Sequence, residues 1–583
     1  MTSGPIKSIG LYALLAALTA CAPAVKPPPE PLPATKTVAP PPPVASPPAP
    51  RPRDRFAVAS ENATGVEVAR EVLEQGGTAA DAAVAGLLVA CAAHASSCGL
   101  GGGGAALVVP ASGDAYVVDF RETAPHGIKS ADHLSKSPPE KRRGVMIGVP
   151  GLAAGLSELH KRGGKLPWKD VVGRAADVVE KGIPLSPYMA QALAWNAKWV
   201  RDDEEARRVF IHDAESRVGE TLKNPDLAKT LRTIADKGAK GFYEGEIAAD
   251  LVTTARAAGS RIIQADLSQY RAVVRDPLRV KWNGREVLTV PPPAAGGVTA
   301  LEVLGFVSTR DLEELEWGSG AMVHVIAEAV RAAHADRILS VGDPDFTRAI
   351  VAPLIDPEKL QARRALVKMD ATILPKLPSI AEGGTLHFVV VDDAGTVVSV
   401  TATLTGMFGA KVMTKRGFVL NDALTDFTTD DYGQRAATKG PNFPRGGARP
   451  VSSLVPVVVL QDGSPVLALG GSGGLRAPNA VAQVILAHLG LGKPLPEAVA
   501  SPRFHVTSGG ALRLDDGLAA IKDDLIARGE VVDMAGASFA AVTAISMRKE
   551  GGVRILEPVF DPRKGGAITI GRDPAVTAPH PGP

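Results

Sequence analysis

An excess of one charge is the first thing this sequence lacks. Its 64 Lys and Arg stand against 62 Asp and Glu, a net charge of +2 over 583 residues, so there is no electrostatic reason to expect a nucleic acid or an acidic partner. Cysteine is scarce too, with only Cys21, Cys91 and Cys98. The last two are able to bridge in an exported protein, although the plainer account of Cys91 is a small apolar residue in a helix-like Ala/Val/Leu run. No internal repeat recurs. What the chain has in quantity is apolar residue, 45% against 22% charged, enough to bury a large core in one domain or two.

The N-terminus departs from that body. Lys7 precedes the apolar run IGLYALLAALTAC, too short to span a bilayer comfortably but suited to a secretion signal. Leu18-Thr19-Ala20-Cys21 resembles the lipobox of bacterial lipoproteins, so residues 1–20 are expected to be removed and Cys21 lipidated. A plain signal peptide with an incidental cysteine is the alternative. Residues 21–54 are dense in proline and have no apolar periodicity, hence an extended tether of about 3.1 Å per residue, roughly 100 Å in reach. The expected location is the bacterial cell envelope or periplasm, lipid-anchored to a membrane.

From Arg55 onward helical and strand patterns interleave. TGVEVAREVLEQGG has apolar residues at helical spacing and ends on glycines, and TAADAAVAGLLVACAA opens with a Thr78-to-Asp81 capping box and is apolar all round. AALVV, AYVVDF, VLTV and SLVPVVVL read as strands and MVHVIAEAVRAAHADRIL as a helix, giving an α/β or α+β fold. No long linker divides this body.

Three segments imitate known motifs. Gly99 to Gly104 matches the letters of a dinucleotide fingerprint, but helix precedes and strand follows, so it reads as a close-packed turn. His324 and Glu328 stand one helical turn apart; a satisfied pair on a helix face is the simpler reading than a metal site. Gly470-Gly471-Ser472-Gly473-Gly474 follows a strand and precedes a helix, with His488 and His505 downstream. That is the context of a serine nucleophile elbow, which keeps a Ser472 hydrolase open.

EGGTLHFVVVDDAGTVVSVTATLTG, residues 382–406, is a hairpin with a threonine directly after two glycines. A three-residue loop Asp393-Ala394-Gly395 with Gly395 left-handed sets paired residues to sum to 788, which puts Thr385 opposite Thr403. β-Propensity alone also explains two threonines there, and a bulge slips the register by one.

With that hairpin, QGGTAADAAVA, GLGGGG, VVDFRETAP, GVPG, PPPAAGGV, AEAVRAAHADR, GDPDF, ARPVSSLVP, GGSGGLR and SPRFHV stand in an order that resembles the γ-glutamyltransferases (γ-glutamyltranspeptidases) of the N-terminal-nucleophile hydrolases. The resemblance covers the chain from about residue 56 to the C-terminal region. It implies an α+β, four-layer αββα sandwich that cuts itself at Gly384–Thr385 into a large subunit, 55–384 after the tether, and a small subunit, 385–583. It also implies a nucleophile at Thr385 whose freed α-amine, titrating at about 7.7–8.0, serves as base. Thr403 matches the threonine that hydrogen-bonds the nucleophile, and Gly473 and Gly474 the oxyanion hole. Arg121, Ser452 and Ser453 match the groups that hold a substrate α-carboxylate, and Asp426 the one that takes its ammonium.

The implied substrates are γ-glutamyl amides such as glutathione, with water, an amino acid or a peptide as acceptor; no cofactor or metal is called for. The sequence departs from the family at Leu386, usually a small hydroxylated residue, at Ala423, usually an amide or acid, and at Thr405, usually asparagine. Carboxylate recognition is complete and ammonium recognition thinned, which keeps a glutaryl-type amide acylase on the same scaffold as an alternative.

Overall fold

Side chains along a strand alternate between two faces, and in Thr385–Val391 the faces bury against different partners. Leu386, Phe388 and Val390 pack with the helices Ala63–Glu74 and Ala79–Ala93, while Val389 and Val391 pack against residues of a second sheet. The same division runs through the whole molecule. In this computed structural model, which describes residues 52–130, 132–135, 142–211, 218–372, 384–428, 440–507, 509–534 and 540–573, two antiparallel sheets lie face to face between layers of helix. Residues 1–20, Cys21, all but the end of the tether 21–54, and Gly383 lie outside the described residues.

The first sheet runs, edge to edge, Ala567–Arg572, Asp54–Ser60, Thr385–Val391, Val397–Thr403, Gly103–Val109, Tyr116–Asp119 and Val273–Arg275. The second runs Val553–Val559, Ala541–Glu550, Ser464–Ser472, Val457–Gln461, Arg285–Thr289 and Leu278–Trp282. Between them lies an apolar layer that includes Ala57, Leu107, Val389, Leu288, Val458 and Ile545. Outside the second sheet, Val457, Val459, Leu467 and Leu469 pack with the helices Ala295–Phe306, Gly320–Ser340 and Arg476–Ile485. This is the four-layer αββα sandwich, and the residues from Arg51 onward form one compact unit rather than two.

Local signals place the elements nearest the site. Asn62 caps the first helix by accepting from the Gly65 N–H at 2.8 Å, and Gly76 closes it at φ +82°. The second helix carries the Thr78–Asp81 capping box and is buried over all its 15 residues. Cys91 in its last turn is bonded to Cys98, so the plainer account of Cys91 gives way to a bridge. The glycine run that follows is a close-packed turn. A Cβ on Gly101 falls 2.0 Å from the Val419 carbonyl oxygen, and one on Gly102 2.2 Å from that of Thr403. SLVPVVVL is strand only from Val457, because Pro456 has no N–H to give a ladder; its carbonyl accepts from the Thr289 hydroxyl at 2.8 Å.

Candidate active site

The hairpin Thr385–Val391/Val397–Thr403 pairs without a bulge, Thr385 opposite Thr403, and Gly395 turns its loop at φ +97°. Both threonines are buried, with hydroxyls 3.3 Å apart. The Thr403 hydroxyl donates to the Gly384 carbonyl oxygen at 2.8 Å and accepts from the Thr405 N–H at 2.9 Å. A hydroxyl has one proton to give. Thr403 spends it on Gly384, so in the short contact between the threonines Thr385 is the donor. A Cβ on Gly384 sits 2.7 Å from the Ser96 carbonyl oxygen, so this position takes glycine because the loop after the second helix lies against it. That loop is closed by the Cys91–Cys98 bridge, and its Ser96 and Ser97 carbonyls accept from the Phe408 and Leu404 N–H groups at 2.9 Å each.

A small cavity opens beside the pair, lined by Arg121, Thr385, Thr403, Thr405, Asp426, Ser452, Ser453, Leu454, Gly471, Gly474 and Ala477. Of the residues that the resemblance assigns to catalysis or substrate binding, the cavity thus brings together all except Gly473, Gly474's neighbour. Both glycines are left-handed, at φ +132° and +62°, and sit between the strand Ser464–Ser472 and the helix Arg476–Ile485. A Cβ on Gly473 falls 2.9 Å from the Ala540 Cα, so only glycine fits that turn without strain.

Arg121 is fully enclosed. Its guanidinium bonds Glu122 at 2.9 Å, Thr405 Oγ1 at 3.1 Å and Asp426 at 2.6 Å. Burial works against the Arg121 charge, but Glu122 and Asp426 outweigh it and raise the pKa. Burial lifts Asp426 above the usual carboxylate range despite Arg121 and Arg337, and pushes neighbouring Asp422 up to about 7. The two residues expected to take opposite ends of an amino acid therefore hold each other. Ser453 Oγ accepts from Arg337 Nη1 at 2.9 Å. Ser452 Oγ is buried and has no hydrogen-bond partner among the described residues. Ala423 is fully buried and does not line the cavity.

Three groups at the site escaped the sequence reading. Arg337 stands in HADR, inside a motif whose other residues drew attention; a cationic residue late in an apolar helix was its signal. Lys564 projects from a turn between the strands Val553–Val559 and Ala567–Arg572, donates to the Thr385 carbonyl oxygen at 2.5 Å, and ion-pairs with buried Glu61. No local pattern marked either member of that pair.

The Ser472 hydroxyl meets Lys564 Nζ at 3.2 Å and is buried outside the cavity lining. His488 bonds the Lys493 carbonyl at 2.7 Å, and His505 lies on a strand of a separate three-stranded sheet. The elbow context is present, but the serine it would expose points elsewhere. His324 bonds Glu530 and the Lys368 carbonyl, and Glu328 bonds Arg331, so these residues are satisfied by other partners and not by each other.

Comparison with known proteins matches residues 65–571 to the profile described as Gamma-glutamyltranspeptidase. The chain is 32% identical over 539 residues to Glutathione hydrolase 2 of Arabidopsis thaliana, covering 88% of this chain and 93% of that one. It is also 32% identical over 497 residues to the Acylase ACY 1 proenzyme of Pseudomonas sp. (strain V22), covering 82% and 88%. Among solved structures, the cephalosporin acylase from Bacillus halodurans superposes with a TM-score of 0.79 over 90% of this chain and 98% of that one; at 22% identity this likeness speaks to the fold alone.

Proposed function

Because this chain belongs to the gamma-glutamyltranspeptidase family, we propose that it is a glutathione hydrolase and γ-glutamyltransferase that matures by cutting its own Gly384–Thr385 bond. The observation that carries the reading is the Thr385–Thr403 pair with Gly384 attached: an attacking hydroxyl, a hydroxyl to receive its proton, and a scissile carbonyl already hydrogen-bonded. Thr385 Oγ attacks the Gly384 carbonyl carbon. As charge grows on the carbonyl oxygen the Thr403 proton is in place to stabilise it, by roughly 3–4 kcal/mol for a well-placed donor. The C–N bond breaks, the nitrogen takes up the proton that the Thr385 hydroxyl released through Thr403 and leaves as an amine, and water hydrolyses the Gly384 ester, freeing the threonine.

The same hydroxyl then attacks the γ-carbonyl of a γ-glutamyl amide. The Thr385 amine takes the hydroxyl proton and passes it to the leaving amine, and the γ-glutamyl ester is released to water or to an acceptor amine. Gly473 and Gly474 are assigned to the oxyanion, and Arg121, Ser452 and Ser453 to the α-carboxylate, for which the planar guanidinium offers two parallel donors. Asp426 is assigned to the ammonium and Thr405 to the support of Arg121. A bound carboxylate takes Asp426's place on Arg121, and the released Asp426 turns to the ammonium.

A glutaryl-type acylase is the second reading, favoured by Ala423 and by a Thr405 hydroxyl already engaged with Arg121. Export and a lipid anchor on Cys21 belong to the proposal through Leu18-Thr19-Ala20-Cys21. Among the described residues no helix is long and apolar enough to cross a membrane.

Intact mass spectrometry of the purified protein tests the central claim. Two chains are expected, one beginning at Thr385, with Thr385→Ala remaining a single chain and Ser472→Ala cut and active. An uncut, active protein that Ser472→Ala inactivates overturns it.

A further inference from the structure

Lys564 is tied to the backbone of the nucleophile itself. Its Nζ donates to the Thr385 carbonyl oxygen at 2.5 Å and to Ser472 Oγ at 3.2 Å, lies 4.5 Å from the centre of the Tyr188 ring, and is ion-paired with Glu61. The Lys564 side chain is 9% exposed and that of Glu61 0%. The turn that presents the lysine is fixed. Asp561 accepts from the Arg563 and Val542 N–H groups at 3.0 Å each, and a Cβ on Gly566 falls 2.4 Å from the Ser60 carbonyl oxygen. A buried cation costs free energy unless it is paired, and this one is held against the residue that carries the proposed chemistry.

We infer that Lys564 is a positioning residue which fixes the Thr385 peptide unit and, through its charge, keeps the amine released by maturation neutral so that it acts as a base near neutral pH. The inference rests on Thr385 becoming a free N-terminus. Carbonyl oxygen and amine nitrogen belong to one residue, so backbone geometry alone puts that amine within about 6 Å of Nζ. A cation so close disfavours protonating the amine.

The other charged and titratable groups around this end have separate partners or are neutral. Glu61, from the strand Asp54–Ser60, pairs with the lysine and offsets part of its field. Burial brings His94, after the second helix, and His387, on the strand of Thr385 itself, down to about 3, so both are uncharged. Tyr188 offers its ring face, Arg476 binds the Gly473 carbonyl at 3.0 Å, and Arg121 and Asp426 pair across the cavity. Burial works against the Lys564 charge, and Glu61 more than restores it.

The experiment is the pH dependence of kcat/KM, whose acid limb reports the free-enzyme base, in the wild type and in Lys564→Arg, Lys564→Gln and Lys564→Met. Arginine keeps charge and donor, glutamine keeps a donor without the charge, and methionine keeps neither. Intact mass of each variant establishes first that it has matured. The expected result is an acid limb moved up by about one pH unit in both neutral variants and unmoved in Lys564→Arg. Neutral variants that mature and lose kcat at every pH with the limb in place overturn the inference while leaving Thr385 as nucleophile. If Lys564→Met does not mature, the glutamine and arginine variants decide. A glutamine variant that also stays uncut while the arginine one is cut makes the lysine a structural ion-pair partner only, and the inference falls. A wild type that never divides at Thr385 fails the functional reading itself.

Discussion

Replacing Thr403 by valine removes one hydroxyl and keeps the branched shape, so no cavity is created and the effect is chemical. That hydroxyl supplies the donor to the Gly384 carbonyl at 2.8 Å and the acceptor for the Thr405 N–H. Loss of one preorganised donor to a developing oxyanion slows a reaction about 10²- to 10³-fold. The orphaned Thr405 N–H, buried in the wild type, adds a stability cost of about 1–3 kcal/mol. Thr403→Val is therefore expected to fold with a lowered Tm and to cut itself about a hundredfold more slowly, and Thr403→Ser, which keeps the hydroxyl, to stay within about tenfold of the wild type. The assay follows the loss of uncut chain by intact mass after purification, with Tm recorded on the same samples. Maturation of Thr403→Val at the wild-type rate refutes the reasoning, because it reduces Thr403 to an ordinary strand residue.

Burial raises Asp422 to about 7 from a usual value of 3.8. The folded protein therefore binds this proton more tightly than the unfolded chain, and the group's contribution, present below about pH 4, is lost as pH rises toward 7. Asp422→Asn is expected to raise Tm at pH 8 and leave it unchanged near pH 4; equal effects at both values count against the assignment. For one chromogenic amine, the γ-glutamyl amide is expected to exceed the glutaryl amide in kcat/KM by only about ten- to a hundredfold, since one hydrogen bond to a charged ammonium is worth about 1.5–3 kcal/mol. Rejection by about five orders of magnitude shows a dedicated ammonium site. Ala423→Gln, which must find room in a fully buried position, is expected to widen that ratio if it folds. Cys21→Ser is expected to release the protein into the soluble exported fraction, and unchanged membrane association counts against a lipid anchor.

What the sequence made legible was whatever depends on neighbours in the chain. Period two in the strands and the Thr78–Asp81 cap sufficed for a mixed helix-and-sheet fold and the turn at Gly395 for the opposition of Thr385 and Thr403, whereas the four layers came only with the family resemblance. Residues that act across the fold stayed hidden. Lys564 and Glu61 lie some five hundred positions apart and meet only because the strand after Lys564 pairs with the strand that ends beside Glu61. The Arg121–Asp426 pair was missed for a related reason. A resemblance assigns residues to a ligand and is silent on the charges that Arg121, Glu122 and Asp426 satisfy among themselves.

The order of strands in the first sheet also bears on when the enzyme becomes active. Thr385–Val391 is hydrogen-bonded on one side to Asp54–Ser60, from the beginning of the body, while Val397–Thr403 is bonded to Gly103–Val109, and the far edge beyond Asp54–Ser60 is closed by Ala567–Arg572 near the C-terminus. The Gly384 carbonyl finds its donor, Thr403, within the hairpin itself, but the Thr385 carbonyl meets Lys564 only after these distant stretches have closed on one another. Under the proposed self-cleavage, a free threonine terminus is then a certificate of completed folding, issued once per molecule by the molecule itself. Misassembled chains are then expected to stay uncut, so the ratio of cut to uncut protein in a preparation is expected to count the properly closed sheets.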